Sequence, residues 1–411
     1  MINKNKITKP TITIIKNGTI TTPAGFYAEA IASGIKQKNK LDLALLYSNN
    51  TCLVSAKFTQ NKLNGESLKW TKKIIKKNNS CKALLVNSGN ANTAVGAIGL
   101  THAKDIAKDI SKKLKIKPQE VALASTGVIG IELPMNKIKK GIEKIELGKK
   151  SGQKFSEAIL TTDTHSKQIA IEIKSNNAVY KIAGTAKGAG MIHPNLATML
   201  AFITTDASLD KKWIDKTLAE VVNQTFNMID IDMDTSPCDM VMLMANGDDS
   251  VGKIDSIHPS AQIFKDGIYL ICEFLAKEIA RDGEGATRLI EAKILGAKNN
   301  AIAKKVARSI ISSLLIKTMV KGKDPNWGRI ISTIGNTTPK MNEKKITIHI
   351  GKIKVYDKGV PISANAPSAI QEMSNECVLI TINFDEKQGT ATAWGCDLTE
   401  EYVKINSEMT T

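Results

Sequence analysis

Two adjacent residues, Ala197 and Thr198, carry the strongest chemical suggestion in this chain of 411 residues. They lie in the run Lys187-Gly-Ala-Gly-Met-Ile-His-Pro-Asn-Leu-Ala-Thr-Met-Leu200. A threonine placed at a new N-terminus is a nucleophile whose own α-amine can act as its base. That amine titrates at roughly 7.7–8.0, far closer to neutrality than a lysine ammonium. The glycines and the proline before Thr198 permit a tight bend, and Met199–Ile203 reads as a buried strand. A strained turn feeding a core strand suits self-cleavage between Ala197 and Thr198. From residue types alone, an ordinary loop-to-strand junction is much the commoner reading.

Other residues fit the same chemistry. Lys187 is followed by a glycine and stands eleven residues before Thr198. A lysine in such a turn suggests anion binding, but the spacing is not that of a phosphate loop. A substrate carboxylate is the better partner, and an exposed turn lysine is the plain alternative. Glu284, between Gly283 and Gly285, could bind a substrate ammonium or move a proton. Its plain alternative is a solvated turn carboxylate. His193 is five residues before the nucleophile, but cleavage would leave it on the other fragment, so it is rejected as the base. Asp230-Ile-Asp-Met-Asp234 lacks the glycine and distal glutamate of a calcium loop, and reads as a structural network near the new N-terminus. The six cysteines (52, 81, 238, 272, 377, 396) form no C-x-x-C pair and stand at no zinc spacing from a histidine. No metal is expected, the compartment reads as reducing, and Cys272 and Cys377 read as buried hydrophobes.

The sequence resembles the ornithine acetyltransferase family, the bifunctional glutamate N-acetyltransferases of arginine biosynthesis. The likeness rests on the run around Thr198 and on five other segments: Asn87-Ser-Gly-Asn-Ala-Asn92, Ser125-Thr-Gly-Val-Ile-Gly130, Thr161-Thr-Asp-Thr164, Asp282-Gly-Glu-Gly-Ala-Thr-Arg288 and Asp324-Pro-Asn-Trp-Gly-Arg329. The ending, Glu401 to Thr411, also matches, and the matches follow family order from about Gly25 onward. The resemblance implies that Thr126 and Gly127 stabilise the oxyanion. Physically, a glycine lets a backbone N–H approach a reacting oxygen, and a hydroxyl adds a second donor. It further implies substrate contacts from Thr161 (rather than its neighbour Thr162), Lys187, Thr198, Glu284, Asn406 and Thr411. The expected reaction moves an acetyl group from N2-acetyl-L-ornithine to L-glutamate through an acetyl-Thr198 ester, with ping-pong kinetics. No cofactor is expected; acetyl-CoA as a second donor is left open. The rival enzyme is a self-processing aminopeptidase or amidase using the same threonine, with water as acceptor. The resemblance also implies an α fragment (1–197) and a β fragment (198–411) that stay together, two of each per assembly. Three departures are visible: Met233 stands where the family more often has glycine, Cys238 where it more often has asparagine, and Ser55-Ala-Lys-Phe-Thr59 is looser than the family's strand. These departures bear on local packing more than on chemistry.

Composition bounds these readings. The chain is 42% hydrophobic and 24% charged, as in ordinary soluble proteins. No apolar stretch nears the roughly 20 residues needed to span a bilayer, and the N-terminus lacks a signal peptide's apolar segment. A cytoplasmic location and no membrane partner are the expectation. The formal charge of +17 invites nucleic acid, but arginine occurs only at 281, 288, 308 and 329, and aromatics make up 4% without interleaving the lysine pairs. Solvated lysine faces explain the charge, and nucleic acid is not an expected partner.

The elements that must position these residues alternate without a repeat. Helical spacing marks Thr101–Leu114, Leu209–Phe226, Pro259–Arg281 and Asn299–Met319. Strands are expected at Gln168–Lys174 and Ala178–Ala183, joined across Asn176-Asn177, and at Lys345–Ile350, Lys352–Tyr356, Val378–Phe384 and Thr390–Cys396. Hairpins rather than regular strand–helix alternation favour α+β over a doubly wound parallel sheet. The resemblance implies a layered αββα-type sandwich, two sheets between helices.

Overall fold

The computed structural model describes residues 10–37, 39–146, 150–193, 199–248, 252–338 and 342–408. Two sheets organise these residues. In the larger, nine-stranded sheet the order is Thr11–Ile14, Lys167–Ser175, Ala178–Lys187, Leu200–Thr205, Met240–Ala245, Leu43–Phe58, Ser80–Asn90 and Val121–Val128, with Phe26–Ile31 also paired to Leu43–Phe58. Its pairs are antiparallel except Leu200–Thr205 with Met240–Ala245, and Ser80–Asn90 with Val121–Val128. The smaller, seven-stranded sheet runs Val360–Pro361, Ile353–Asp357, Thr347–Ile350, Cys377–Asn383, Leu289–Ala297, Gly389–Cys396 and Ile229–Asp230.

This is the mixed, hairpin-rich α+β arrangement expected. The turn Asn176-Asn177 has φ of 50° and 64°, the doubly left-handed geometry that asparagine tolerates in tight hairpins. The layering differs from two sheets packed face to face. The helices Glu66–Asn78, Ile98–Leu114 and Gly152–Ala158 cover one face of the larger sheet, while Lys211–Val222 and Ala261–Arg281 cover the other. Ala261–Arg281 also touches the smaller sheet, whose opposite face carries Asn300–Ser312. A helical layer therefore separates the sheets. Gly184 and Gly267 allow it close to the larger sheet, since a Cβ on Gly184 would fall 2.6 Å from Ile271 Cγ2.

One helix expected as continuous is broken. Asn299–Met319 resolves into Asn300–Ser312 and Leu314–Gly322. Ser313 is extended (ψ 116°), and its side chain accepts from Ile316 N–H as an N-cap, which restarts the helix at a new angle. Cys377 also departs from expectation. It is exposed at the start of its strand, whereas Cys272 is fully buried.

The strands flanking the expected cleavage point are interleaved. Leu200–Thr205, entirely buried, pairs on one side with Ala178–Lys187 and on the other with Met240–Ala245, which then pairs with Leu43–Phe58. Residues 1–197 and 198–411 thus share one sheet, and both hydrophobic clusters draw on both.

Candidate active site

Ala197, Thr198 and Thr411 lie outside the described residues, so the cleavage point and two expected substrate contacts, Thr198 and Thr411, are not located. The described candidates converge. Thr126, Gly127, Thr161, Lys187, Glu284 and Asn406 line one cleft of about 570 Å³ that opens to solvent. They come from five separate segments. Lys187 ends its strand and pairs with Leu200, two residues after Thr198 in sequence. Met199 is buried, and its carbonyl accepts from Met240 N–H at 3.1 Å, which anchors the start of the next strand in the core.

The Thr126–Gly127 wall is a β-bulge. Gly127 pairs with Gly89, and the register shifts at Asn90. Gly127 has φ +127°, and a Cβ there would lie 2.4 Å from Gly89 C and 2.5 Å from Asn90 N. Only glycine fits. A buried amide and hydroxyl network holds the bulge. Ser125 Oγ donates to Asn87 Oδ1 at 2.6 Å, Asn87 Nδ2 donates to Asn90 O at 2.8 Å, and Ala91 N donates to Val128 O at 2.9 Å.

The floor is a chain of buried charges. Lys187, 3% exposed, donates to Thr161 Oγ1 at 2.7 Å and to Thr126 Oγ1 at 3.4 Å. Asp163 Oδ2 lies 3.9 Å from Lys187 Nζ. Asp163 accepts from Gly188 N–H at 2.6 Å and from Lys167 at 2.7 Å, and Lys167 reaches Asp282 at 2.5 Å. Burial alone would raise the Asp163 carboxyl, but the two lysine ammoniums hold it well below the usual carboxylate range. Burial lowers the Lys187 ammonium, with Asp163 opposing that shift. These paired charges are satisfied by hydrogen bonds, which is what makes their burial tolerable.

Glu284 is 9% exposed. Its N–H donates to Ala189 O at 2.8 Å, and Asn406 Nδ2 donates to its Oε2 at 2.8 Å. The plain readings of Lys187 and Glu284 as solvated turn residues do not hold: both are buried beside the cleft. The C-terminal helix Glu400–Glu408 thus reaches the site through Asn406, and Thr399 Oγ1 fastens its approach by donating to Gly285 O at 2.7 Å. Gly190 is needed for close approach, since a Cβ there would lie 2.5 Å from the Glu284 carboxylate.

Two carboxylates clamp the segment leading to Pro194. Asp232 accepts from Met191 N–H at 2.6 Å and Ile192 N–H at 2.8 Å. Met191 has φ +55°, a left-handed conformation costly for this side chain. Burial pushes the Asp232 carboxyl up to about 6. His193 Nδ1 pairs with Asp230 Oδ1 at 2.8 Å, a structural partnership consistent with its rejection as a base. Asp230 and Asp232 of the acidic run thus form structural hydrogen bonds to residues 191–193; the expected neighbourhood of Thr198 lies outside the described residues.

Three features escaped the sequence reading. Asp163 and Asp282 fall inside quoted motifs and Lys167 outside them, and the i to i+4 spacing of Asp163 and Lys167 is the only hint of pairing. Cys238 lines the cleft, with its thiol 3.2 Å from Thr93 Oγ1 and pushed up to about 12 by burial, so this departure touches the site rather than packing alone. Met233 has φ +67°, which explains the glycine more usual there. Among the described residues no cluster of potential metal ligands occurs, and no helix is long and apolar enough to cross a membrane.

The ArgJ family matches over residues 27–411. The arginine biosynthesis bifunctional protein ArgJ of Oceanobacillus iheyensis is 42% identical over 400 residues, covering 97% of this chain and 98% of that one. That of Bacillus subtilis is 41% identical over 394 residues, covering 96% and 97%. Among solved structures, the arginine biosynthesis bifunctional protein ArgJ of Bacillus halodurans is 42% identical, with a TM-score of 0.48, covering 50% of this chain and 97% of that chain. The ornithine acetyltransferase of Mycobacterium tuberculosis complexed with ornithine is 32% identical, with a TM-score of 0.42, covering 45% and 98%.

Proposed function

The chain belongs to the ArgJ family, and from that premise we propose that it moves an acetyl group from N2-acetyl-L-ornithine to L-glutamate in arginine biosynthesis. The observation that carries the reading is the convergence of Thr126, Gly127, Thr161, Lys187, Glu284 and Asn406 on one cleft beside the strand that follows Thr198.

The chain first promotes hydrolysis of its own Ala197–Thr198 bond, in which one water is consumed, Ala197 ends in a carboxylate and Thr198 in a free amine. The freed α-amine of Thr198 takes the proton of its own hydroxyl as Oγ attacks the acetyl carbonyl. The carbonyl oxygen becomes an oxyanion held by the Gly127 N–H and the Thr126 hydroxyl. Collapse breaks the C–N bond, the ornithine amine leaves with the proton, and acetyl remains as an ester on Thr198. Glutamate then attacks the ester with its α-amine and reverses the steps. Lys187, presented with Thr161, pairs with a substrate carboxylate. Glu284, aimed by Asn406, takes a substrate ammonium, and Thr411 is the further substrate contact that the family resemblance implies. The fragments 1–197 and 198–411 remain joined through their shared sheet, two of each per assembly.

The test measures acetylornithine consumption with and without glutamate. Consumption that requires glutamate and yields acetylglutamate supports the transferase. Equal consumption in its absence would mean hydrolysis, with water as acceptor. Replacing acetylornithine by acetyl-CoA in the same assay tests the second donor.

A further inference from the structure

Lys36 does not line the cleft, yet it touches both of its walls. Its backbone is fixed by Asp42, whose carboxylate accepts from the N–H groups of Ser33, Gly34 and Lys36 at 2.7, 3.0 and 3.0 Å. Its stem then passes Gly89, the residue opposite Gly127 in the bulge, and a Cβ on Gly89 would lie 3.0 Å from Lys36 Cγ. Its ammonium donates to Leu160 O at 2.7 Å, Leu41 O at 3.0 Å and Ala158 O at 3.4 Å. Three donors meet three backbone carbonyls. Ser88, beside Gly89, donates to the same Ala158 carbonyl at 2.5 Å. Leu160 directly precedes Thr161, whose hydroxyl accepts from Lys187.

We propose that Lys36 is a positioning residue for acetyl transfer: it braces the oxyanion bulge against the 158–161 turn, so that Thr161 and Lys187 stay in register with Gly127. The proposal rests on the acetyltransferase reading above. A carbonyl-binding ammonium suits this role because each acceptor is a main-chain group whose displacement moves the backbone itself. A neutral amine has one N–H fewer and leaves one carbonyl unserved. Burial lowers the Lys36 ammonium to about 8; Asp42 and Asp163 oppose that shift, while Lys187 and Lys40 add to it. The brace is therefore charged at neutrality and loses its proton in mildly alkaline solution.

The experiment compares wild type, Lys36→Met and Lys36→Arg. Processing is followed by denaturing mass spectrometry, and kcat and KM for acetylornithine and glutamate are measured from about pH 6.5 to about pH 9.5. A misplacement of about 1 Å costs up to about 100-fold, so Lys36→Met should lose about tenfold or more in kcat while still being processed. Lys36→Arg should recover most of that loss. The wild-type kcat should fall above about pH 8, and in Lys36→Arg this fall should move to higher pH because the guanidinium stays charged. Lys36→Met within about twofold of wild type would overturn the proposal. So would alkaline profiles that coincide in wild type and Lys36→Arg, which applies even if Lys36→Met fails to fold. Wild type without glutamate-dependent transfer would instead sink the functional reading itself.

Discussion

Replacing Gly127 by alanine tests the oxyanion wall directly. A Cβ there falls 2.4 Å from Gly89 C, 2.5 Å from Asn90 N and 2.7 Å from Gly89 Cα, all main-chain atoms that cannot rotate away. Carbon contacts settle at about 3.5–4.0 Å, so the bulge must open by about 1 Å. The φ of +127° adds strain of about 1–3 kcal/mol for a non-glycine residue. Forced overpacking adds about 1–3 kcal/mol more. Stability should therefore fall by roughly 2–6 kcal/mol. The catalytic loss should be about 10²–10³-fold in kcat, from a displaced oxyanion donor. Gly130→Ala is the matched control: its φ is +84°, but a Cβ there meets nothing within 4 Å. It should lose only about 1–2 kcal/mol and keep its kcat. The assay pairs urea unfolding with acetyl-transfer kinetics on both variants. Equal kcat in Gly127→Ala and Gly130→Ala would refute the reasoning, because both sites have positive φ and only Gly127 joins a main-chain clash to an oxyanion donor.

Asp232→Asn leaves one oxygen to serve the Met191 and Ile192 N–H groups, so self-processing should slow about tenfold on a denaturing-gel time course; an unchanged rate would show that the clamp does not aim the segment. Gly190→Ala pushes the Glu284 carboxylate aside, and KM for an amino-acid substrate should rise about tenfold with stability little changed; an unaltered KM would remove Glu284 from ammonium binding. Asp163→Asn takes away the carboxylate facing buried Lys187 and one of the two on buried Lys167, and should cost about 3–5 kcal/mol at neutral pH by urea unfolding. The Asp163 carboxyl is held below its ordinary value of 3.8, so its contribution is present above that pH and is lost as pH falls below it. The gap between wild type and Asp163→Asn should close on acidification, and a gap that widened would contradict the assigned charge network.

The chemistry was legible because it resides in short runs. Lys187 and Gly283-Glu284-Gly285 each announce themselves by a charged group beside a glycine, whereas Thr126, Gly127, Thr161 and Asn406 are reached only through the family resemblance. Their meeting in one cleft was not legible, since it depends on a sheet that brings residue 127 beside residue 89 and residue 187 beside residue 200. The charge relay was missed for the same reason: Lys167 and Asp282 are 115 positions apart. Lys36 was invisible because its partners are main-chain carbonyls, which leave no mark on composition or spacing. The helix break at Ser313 was hidden by apolar spacing that continues across it, and only the serine pair Ser312-Ser313 hinted at a cap. The helical layer between the sheets depends on which face of Ala261–Arg281 meets which sheet, and a helix apolar on most sides does not declare that.

The most direct measurement is denaturing mass spectrometry of purified, active protein mixed briefly with acetylornithine and no glutamate. Two fragments meeting at 197/198 should appear, with one acetyl group carried on Thr198 of the C-terminal fragment and removed when glutamate is added. Active material that remains a single chain of 44.5 kDa, or an acetyl group found on any other residue, would contradict the account.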